Sequence, residues 1–366
     1  MSRPFLGWPG IPLALLSALL FGISTPFAKL LLGAGVSPWL LAGLLYLGSG
    51  IGLGLVQVMR KLRGQTMAEA PLRRADLPWL ALVVLSGGVA GPVLLMFGLA
   101  TTAASSASLL LNLEGLATMA IAWLMFRENV DRRLLVGAAS ILAGAVLLSW
   151  QGGPGGLGWG AVAIAGACLA WGIDNNLTRR LSAADPVQIA LIKGLAAGAV
   201  NLALALAIGT ALPSTTAIGG AAVVGFIGYG VSLVMFVLAL RHLGAARTAA
   251  YFSTAPFVGA VVAIAMFGEP VTARLAGAGL LMAMGLYLHL AERHEHEHRH
   301  AALDHEHRHV HDEHHQHQHG PGDPPGEPHA HRHRHLPLVH AHPHYPDLHH
   351  RHRHRHRHTD GHIPAS

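Results

Sequence analysis

Ten runs of about 20 predominantly apolar residues lie between Pro12 and Leu290, and each is long enough to cross a bilayer as a helix. They cover residues 12 to 33, 39 to 59, 78 to 99, 104 to 126, 134 to 150, 157 to 177, 187 to 209, 217 to 240, 247 to 267 and 271 to 290. Only helices and closed barrels satisfy every backbone polar group in hydrocarbon. Runs of this length without period-two alternation point to helices. The reading is an all-α integral membrane protein of ten transmembrane helices, with lipid as the surrounding solvent.

The character of the chain changes at Ala291. Of its 28 histidines, all but His242 and His289 lie beyond that point, in a hydrophilic tract too poor in apolar residues to build a core. Three regions follow: 1 to 150 and 151 to 290, each holding five spans, and a disordered His-rich tail from 291 to 366. The net charge of +6 comes from basic loops between spans, so a nucleic-acid partner is not expected. Cys168, the single cysteine, sits in an apolar run as a small hydrophobe. No Walker sequence and no Ser or Cys nucleophile motif is present, and an enzyme is not expected.

Lys and Arg gather on the cytoplasmic side of membrane proteins. Arg3, then Arg60, Lys61, Arg63, Arg73 and Arg74, then Arg127, Arg132 and Arg133, then Arg179 and Arg180, then Arg241 and Arg247 all fall at span ends of one parity. The opposite ends hold little beyond Lys29 and Arg274. This places both termini, and the tail, in the cytoplasm.

The two halves echo each other. Met125-Phe126-Arg127-Glu128-Asn129-Val130 returns as Met266-Phe267-Gly268-Glu269-Pro270-Val271. Leu94-Leu95-Met96-Phe97-Gly98-Leu99-Ala100 returns as Leu233-Val234-Met235-Phe236-Val237-Leu238-Ala239, and Phe21-Gly22-Ile23 as Trp171-Gly172-Ile173. Five spans per copy make the copies enter the membrane from opposite sides, the inverted repeat of secondary transporters. On these motifs, residues 12 to 290 resemble the EamA-type permeases of the drug/metabolite transporter superfamily. The resemblance implies a multi-pass carrier of the bacterial inner membrane, often an exporter of small metabolites, working by alternating access without ATP. Span four departs from the family's frequent proline, reading Leu111-Asn112-Leu113-Glu114-Gly115, while span nine keeps Pro256.

Ionisable side chains at membrane depth are costly and mark pathways. Glu114 lies ten residues into span four, roughly 15 Å deep at 1.5 Å per residue, where so short a side chain must meet a cation or hold its proton. A substrate-binding or proton-coupled carboxylate fits this position; an inter-helix hydrogen bond is the plainer role. Asn112 lies nearby on a different face, as a pathway residue or as helix glue. Lys193, about 9 Å inside span seven, either snorkels to the interface or pairs with Glu114 or an anionic substrate. Asp174, Asn175 and Asn176 lie near the cytoplasmic end of span six, with Trp171, Asp174 and Thr178 on one face, as an interfacial cap or a gate. Glu128 and Glu269 read as helix caps or short-loop salt-bridge partners at the ends of spans four and nine.

In the tail, histidine alternates with other residues. His294, His296, His298 and His300 form one such run, His305, His307, His309 and His311 another, and His314 and His315 follow. Period two places imidazoles on one side of an extended chain, and neutral imidazole suits Zn, Cu, Ni and Co. The expected partners are therefore the bilayer, an unidentified small molecule and divalent ions bound by the tail; a homodimer is open, and no cofactor is required. The alternatives to a metabolite carrier are a divalent metal exporter loaded by the tail and a membrane-anchored metal sensor.

Overall fold

The computed structural model describes residues 10–64, 72–126, 132–150, 157–181, 184–290, 294–300, 303–309, 329–335 and 338–344. Up to Leu290 every element is helical. The first half holds α1 (Gly10–Gly33), α2 (Pro38–Leu62), α3 (Leu77–Val83), α4 (Gly91–Thr101), α5 (Ala104–Leu110), α6 (Leu113–Phe126) and α7 (Arg132–Ser149). The second holds α8 (Trp159–Leu181), α9 (Pro186–Ala207), α10 (Thr215–Val224), α11 (Ser232–Phe252), α12 (Ala255–Phe267) and α13 (Ala273–Leu290). Among the described residues, eight helical stretches have the length and apolarity to cross a membrane. The polar run Asp174-Asn175-Asn176 sets α8 apart from these, and α13 holds Arg274 and His289.

The inverted repeat is visible in the backbone. Span three is α3 and α4 joined by a π-helical turn at Val84–Ala90, and span eight is α10 and α11 joined by one at Gly225–Val231, 141 residues on. Span four breaks at Leu111–Asn112 between α5 and α6, and span nine breaks at Ser253–Thr254 before α12. The proline missing from span four is thus not needed for its break. Packing has the same symmetry: α2 meets α9 and α7 meets α13, while α1 packs on α11 and α12 as α8 packs on α4 and α6.

Two sequence expectations are corrected. The echo of Leu94–Ala100 in Leu233–Ala239 is two residues out of the structural register, which pairs Gly91 with Ser232 at the helix starts; apolar helices match by chance. The loop expected after Leu240 is helical, because Leu243-Gly-Ala-Ala-Arg-Thr-Ala-Ala carries no proline and four helix-favouring alanines. α11 therefore runs on to the break at Ser253.

Lys29 and Arg274, the stray cations of the opposite face, both serve helix C-termini. Lys29 Nζ donates to the carbonyls of Leu99 and Thr102 at 2.6 and 3.0 Å, and Arg274 Nε donates to Leu147 O at 2.5 Å. Cations there meet unsatisfied carbonyls and the negative end of the helix dipole. Glu269 does the converse across the repeats, accepting from Ala104 N and Ser105 N at 2.8 and 3.0 Å at the start of α5.

In the tail, the described segments are extended. β1 (His294–His300) pairs antiparallel with β4 (Leu338–His344), and β2 (Leu303–His309) with β3 (His329–His335). Period-two sequence suits extended backbone. Two-stranded ribbons are marginal in water, so this pairing adds no packed domain.

Candidate functional site

A helix that widens to a π-turn leaves carbonyls without intrahelical partners, and in a membrane interior something must satisfy them. At Gly87 and Gly88 three side chains from three spans do so. Tyr46 OH donates to Gly87 O at 2.7 Å, Trp171 Nε1 donates to the same oxygen at 3.0 Å, and Asn201 Nδ2 donates to Gly88 O at 3.0 Å. Gly87 also has to be glycine on space grounds, since an added Cβ would collide with the carboxylate of Asp174.

That carboxylate is one half of a buried ion pair. Lys193 Nζ donates to Asp174 Oδ2 at 2.5 Å, with side chains only 4% and 6% exposed, and Thr178 Oγ1 donates to Asp174 Oδ1 at 3.2 Å. Snorkelling is thereby excluded for Lys193, and its carboxylate partner is Asp174, not Glu114. Both side chains are enclosed by protein. Pro186 at the start of α9 and the cap that Asp185 Oδ1 accepts from Val187 N fix the depth at which Lys193 enters the bundle.

Glu114 begins the second half-helix of the broken span four and has a neutral partner. Asn175 Nδ2 donates to Glu114 Oε1 at 2.9 Å and lies 3.2 Å from Thr118 Oγ1, which itself donates to Glu114 O at 2.9 Å. Asn176 Nδ2 ties the same helices together through Gly172 O and Thr118 O at 2.8 and 3.1 Å. Close approach of α8 to α6 is what permits this, because a Cβ on Gly172 would sit 2.8 Å from Ala117 Cβ. The two carboxylate sites thus lie on α8 at adjacent positions, Asp174 toward α9 and Asn175 toward α6.

Glu114 faces a small cavity of about 20 Å³, room for roughly one water. The cavity lies between the two broken spans: Leu111, Glu114, Gly115 and Thr118 border it from the first, and Phe252, Ser253, Ala255 and Pro256 from the second. Phe21 and Phe236 close it. Phe21 also touches Trp171, Tyr229 and Phe252, with ring centroids 5.9, 5.7 and 5.4 Å away. An aromatic cluster therefore links the Glu114 cavity to the π-turn and the ion pair.

Asn112 points elsewhere. It is buried and donates to Leu109 O at 2.9 Å and toward Met282 Sδ at 3.8 Å, sealing the end of α5 against α13. Cys168 is buried with Sγ 3.7 Å from Leu110 O at the same break. Tyr46, Asn201 and Thr118 were not singled out from sequence; the Gly87-Gly88 and Gly228-Tyr229-Gly230 pairs, one repeat apart, were the available signal for the π-turns. Among the described residues no group of three or more His, Cys, Asp or Glu could hold a metal ion. His294 to His300 and His305 to His309 lie on β1 and β2, whereas His311, His314 and His315 fall outside the described residues.

Residues 8–150 and 158–291 each match the EamA-like transporter family. An uncharacterized transporter of Methanothermobacter thermautotrophicus is 29% identical over 285 residues, covering 73% of this chain and 81% of that protein. The uncharacterized inner membrane transporter YedA of Escherichia coli K12 is 25% identical over 252 residues, covering 65% of this chain and 78% of its own length. A solved structure described only as a crystal structure of protein superposes with a TM-score of 0.57 at 20% identity, covering 76% of this chain and 95% of that one. That likeness shows the fold.

Proposed function

The chain belongs to the EamA-like transporter family, and from that premise we propose that it is a secondary carrier exporting a small organic molecule across the bacterial inner membrane by alternating access. The observation that carries this reading is the Glu114 cavity, built where span four of one repeat and span nine of the other both break. Broken helices facing each other across an inverted repeat are where secondary transporters hold substrate. Its small volume fits a state in which the two halves meet over the site. Opening to either side would part α6 and α8 from α11 and α12, and the aromatic cluster of Phe21, Phe236 and Phe252 lies on that seam.

In this reading Glu114 is the carboxylate that substrate or coupling proton meets, with Asn175 orienting it. Trp171, Asp174 and Lys193 hold the neighbouring π-turn in shape, and Asn112 is a structural seal. Overexpressed wild-type protein should raise at least one small organic solute in the medium several-fold over vector. The Glu114→Gln variant, at equal membrane abundance, should return it to the vector level. Unchanged export by that variant would remove Glu114 from the pathway.

The tail is read as an accessory that binds several divalent ions on the cytoplasmic side, both termini being inside by the distribution of basic residues. Inside-out vesicles holding the full chain should take up Zn or Ni to several ions per protein, right-side-out vesicles should not, and truncation after Arg293 should abolish the difference. Binding in right-side-out vesicles alone would reverse the topology. If truncation also makes cells as metal-sensitive as deletion of the whole protein, the tail is a loading device for a metal exporter.

A further inference from the structure

Resting on the reading of Glu114 as the centre of the pathway, we propose that the transported molecule is a small organic cation, an amine or quaternary ammonium bearing an apolar or aromatic group. Glu114 would bind its charge, and Phe21, Phe236 and Phe252 its body.

The side-chain polar protons around the cavity are already committed. Thr118 Oγ1 donates to Glu114 O, Ser253 Oγ donates to Ala249 O at 2.8 Å, and Asn175 Nδ2 serves Glu114 Oε1 and Thr118 Oγ1. None of these side-chain donors is left over for an anionic or polyhydroxylic ligand. Beside them, acceptor capacity is open: among the described residues no donor is bonded to Glu114 Oε2. A ligand that fits must bring its own donor or its own positive charge.

Charge balance points the same way. Lys193, the cation buried near this site, is committed to Asp174 at 2.5 Å, with both side chains almost fully enclosed. Glu114 is therefore the carboxylate without a cation among the described residues of this region. A negatively charged guest would meet it at low dielectric and be repelled, whereas a positive one would supply the partner that the fold does not.

The walls supply the remaining recognition. Phe21 and Phe236 stand 5.4 and 4.9 Å from Phe252 by ring centroid, so three rings crowd one side of a cavity whose other side is a carboxylate. Ring faces carry partial negative charge and attract ammonium groups, most strongly when water is excluded. A polar neutral substrate gains little from such walls. The cavity's present size means that the guest enters only when α11 and α12 move away from α6.

Benzyltrimethylammonium is a suitable probe, since its charge does not titrate; benzoate and benzyl alcohol share the ring with negative and zero charge. Calorimetric titration of the purified full chain in nanodiscs should show saturable binding of the cation alone. Glu114→Gln should weaken it at least about tenfold, the scale of losing one charge contact in a dry site, while Glu114→Asp retains part and Phe252→Leu weakens it several-fold. Should the Gln variant yield no folded protein, the Asp and Leu variants decide the matter. Saturable binding of benzoate or benzyl alcohol in place of the cation, or cation binding that ignores all three substitutions, overturns the proposal. If no cation binds yet Glu114→Gln still abolishes export of a neutral or acidic solute, the substrate class is wrong and the pathway stands; if export is also unchanged, both fall.

Discussion

Lys193→Met should remove most of the folded protein from the membrane, and pairing it with Asp174→Asn should bring much of it back. Two charges buried together owe their tolerance to each other. Taking away the ammonium leaves the Asp174 carboxylate enclosed, with the Thr178 hydroxyl at 3.2 Å as its one described donor. Breaking a buried pair from one side costs about 3–5 kcal/mol, a large share of the roughly 5–15 kcal/mol that holds a typical domain folded. The amide that replaces the Asp174 carboxylate in the double variant is neutral and close in volume, which matters because Gly87 leaves no spare room beside that side chain. Fluorescence-detected size exclusion and thermal melting in detergent would read the result. A single variant as stable as wild type would mean that water reaches Asp174; a double variant no better than the single would mean that the ammonium stem, and not its charge, holds α9 in place.

The membrane-spanning helices and the twofold repeat were legible because each is written locally, in apolar run length and in the Phe-x-Glu echo; that Glu269 caps α5 of the other repeat was not, because that contact joins residues far apart in the chain. Glu114 and the α8 polar residues stood out because charge at membrane depth is rare. What stayed hidden was partnership. Nothing in the sequence of span seven says that Lys193 meets Asp174 on span six, because the pairing depends on how α9 is set against α8 in depth and rotation. Tyr46 and Asn201 escaped notice for a related reason: their hydrogen bonds go to backbone carbonyls that exist as free acceptors only because of the π-turn at Val84–Ala90. Chance also misled, as the Leu94–Ala100 echo shows, since two leucine-rich helices agree at many wrong registers.

Gly50→Leu should abolish a monodisperse, folded protein, whereas Gly54→Leu, one helical turn further along α2, should leave it close to wild type. Both changes exchange glycine for a strong helix former, worth about 0.8–1 kcal/mol in a helix interior, so propensity cannot separate them. Space can. A Cβ on Gly50 would stand 2.5 Å from Leu195 N and 2.9 Å from Gly194 C, both backbone atoms of α9, while at Gly54 the nearest described neighbour is Leu191 Cδ1 at 3.7 Å. A flexible side-chain end gives way; the backbone of a packed helix does not. Overfilling a core costs typically about 1–3 kcal/mol. The cost should be higher here because α2 and α9 join the two repeats through this crossing, where Gly194 and Gly198 return the same close approach from the other side. In lipid no hydrophobic gain drives helices together, so the association rests on close van der Waals packing of small residues. Equal yield and equal melting temperature for the two variants would sink this account of how the halves are joined, and would move the burden to the aromatic cluster and the ion pair.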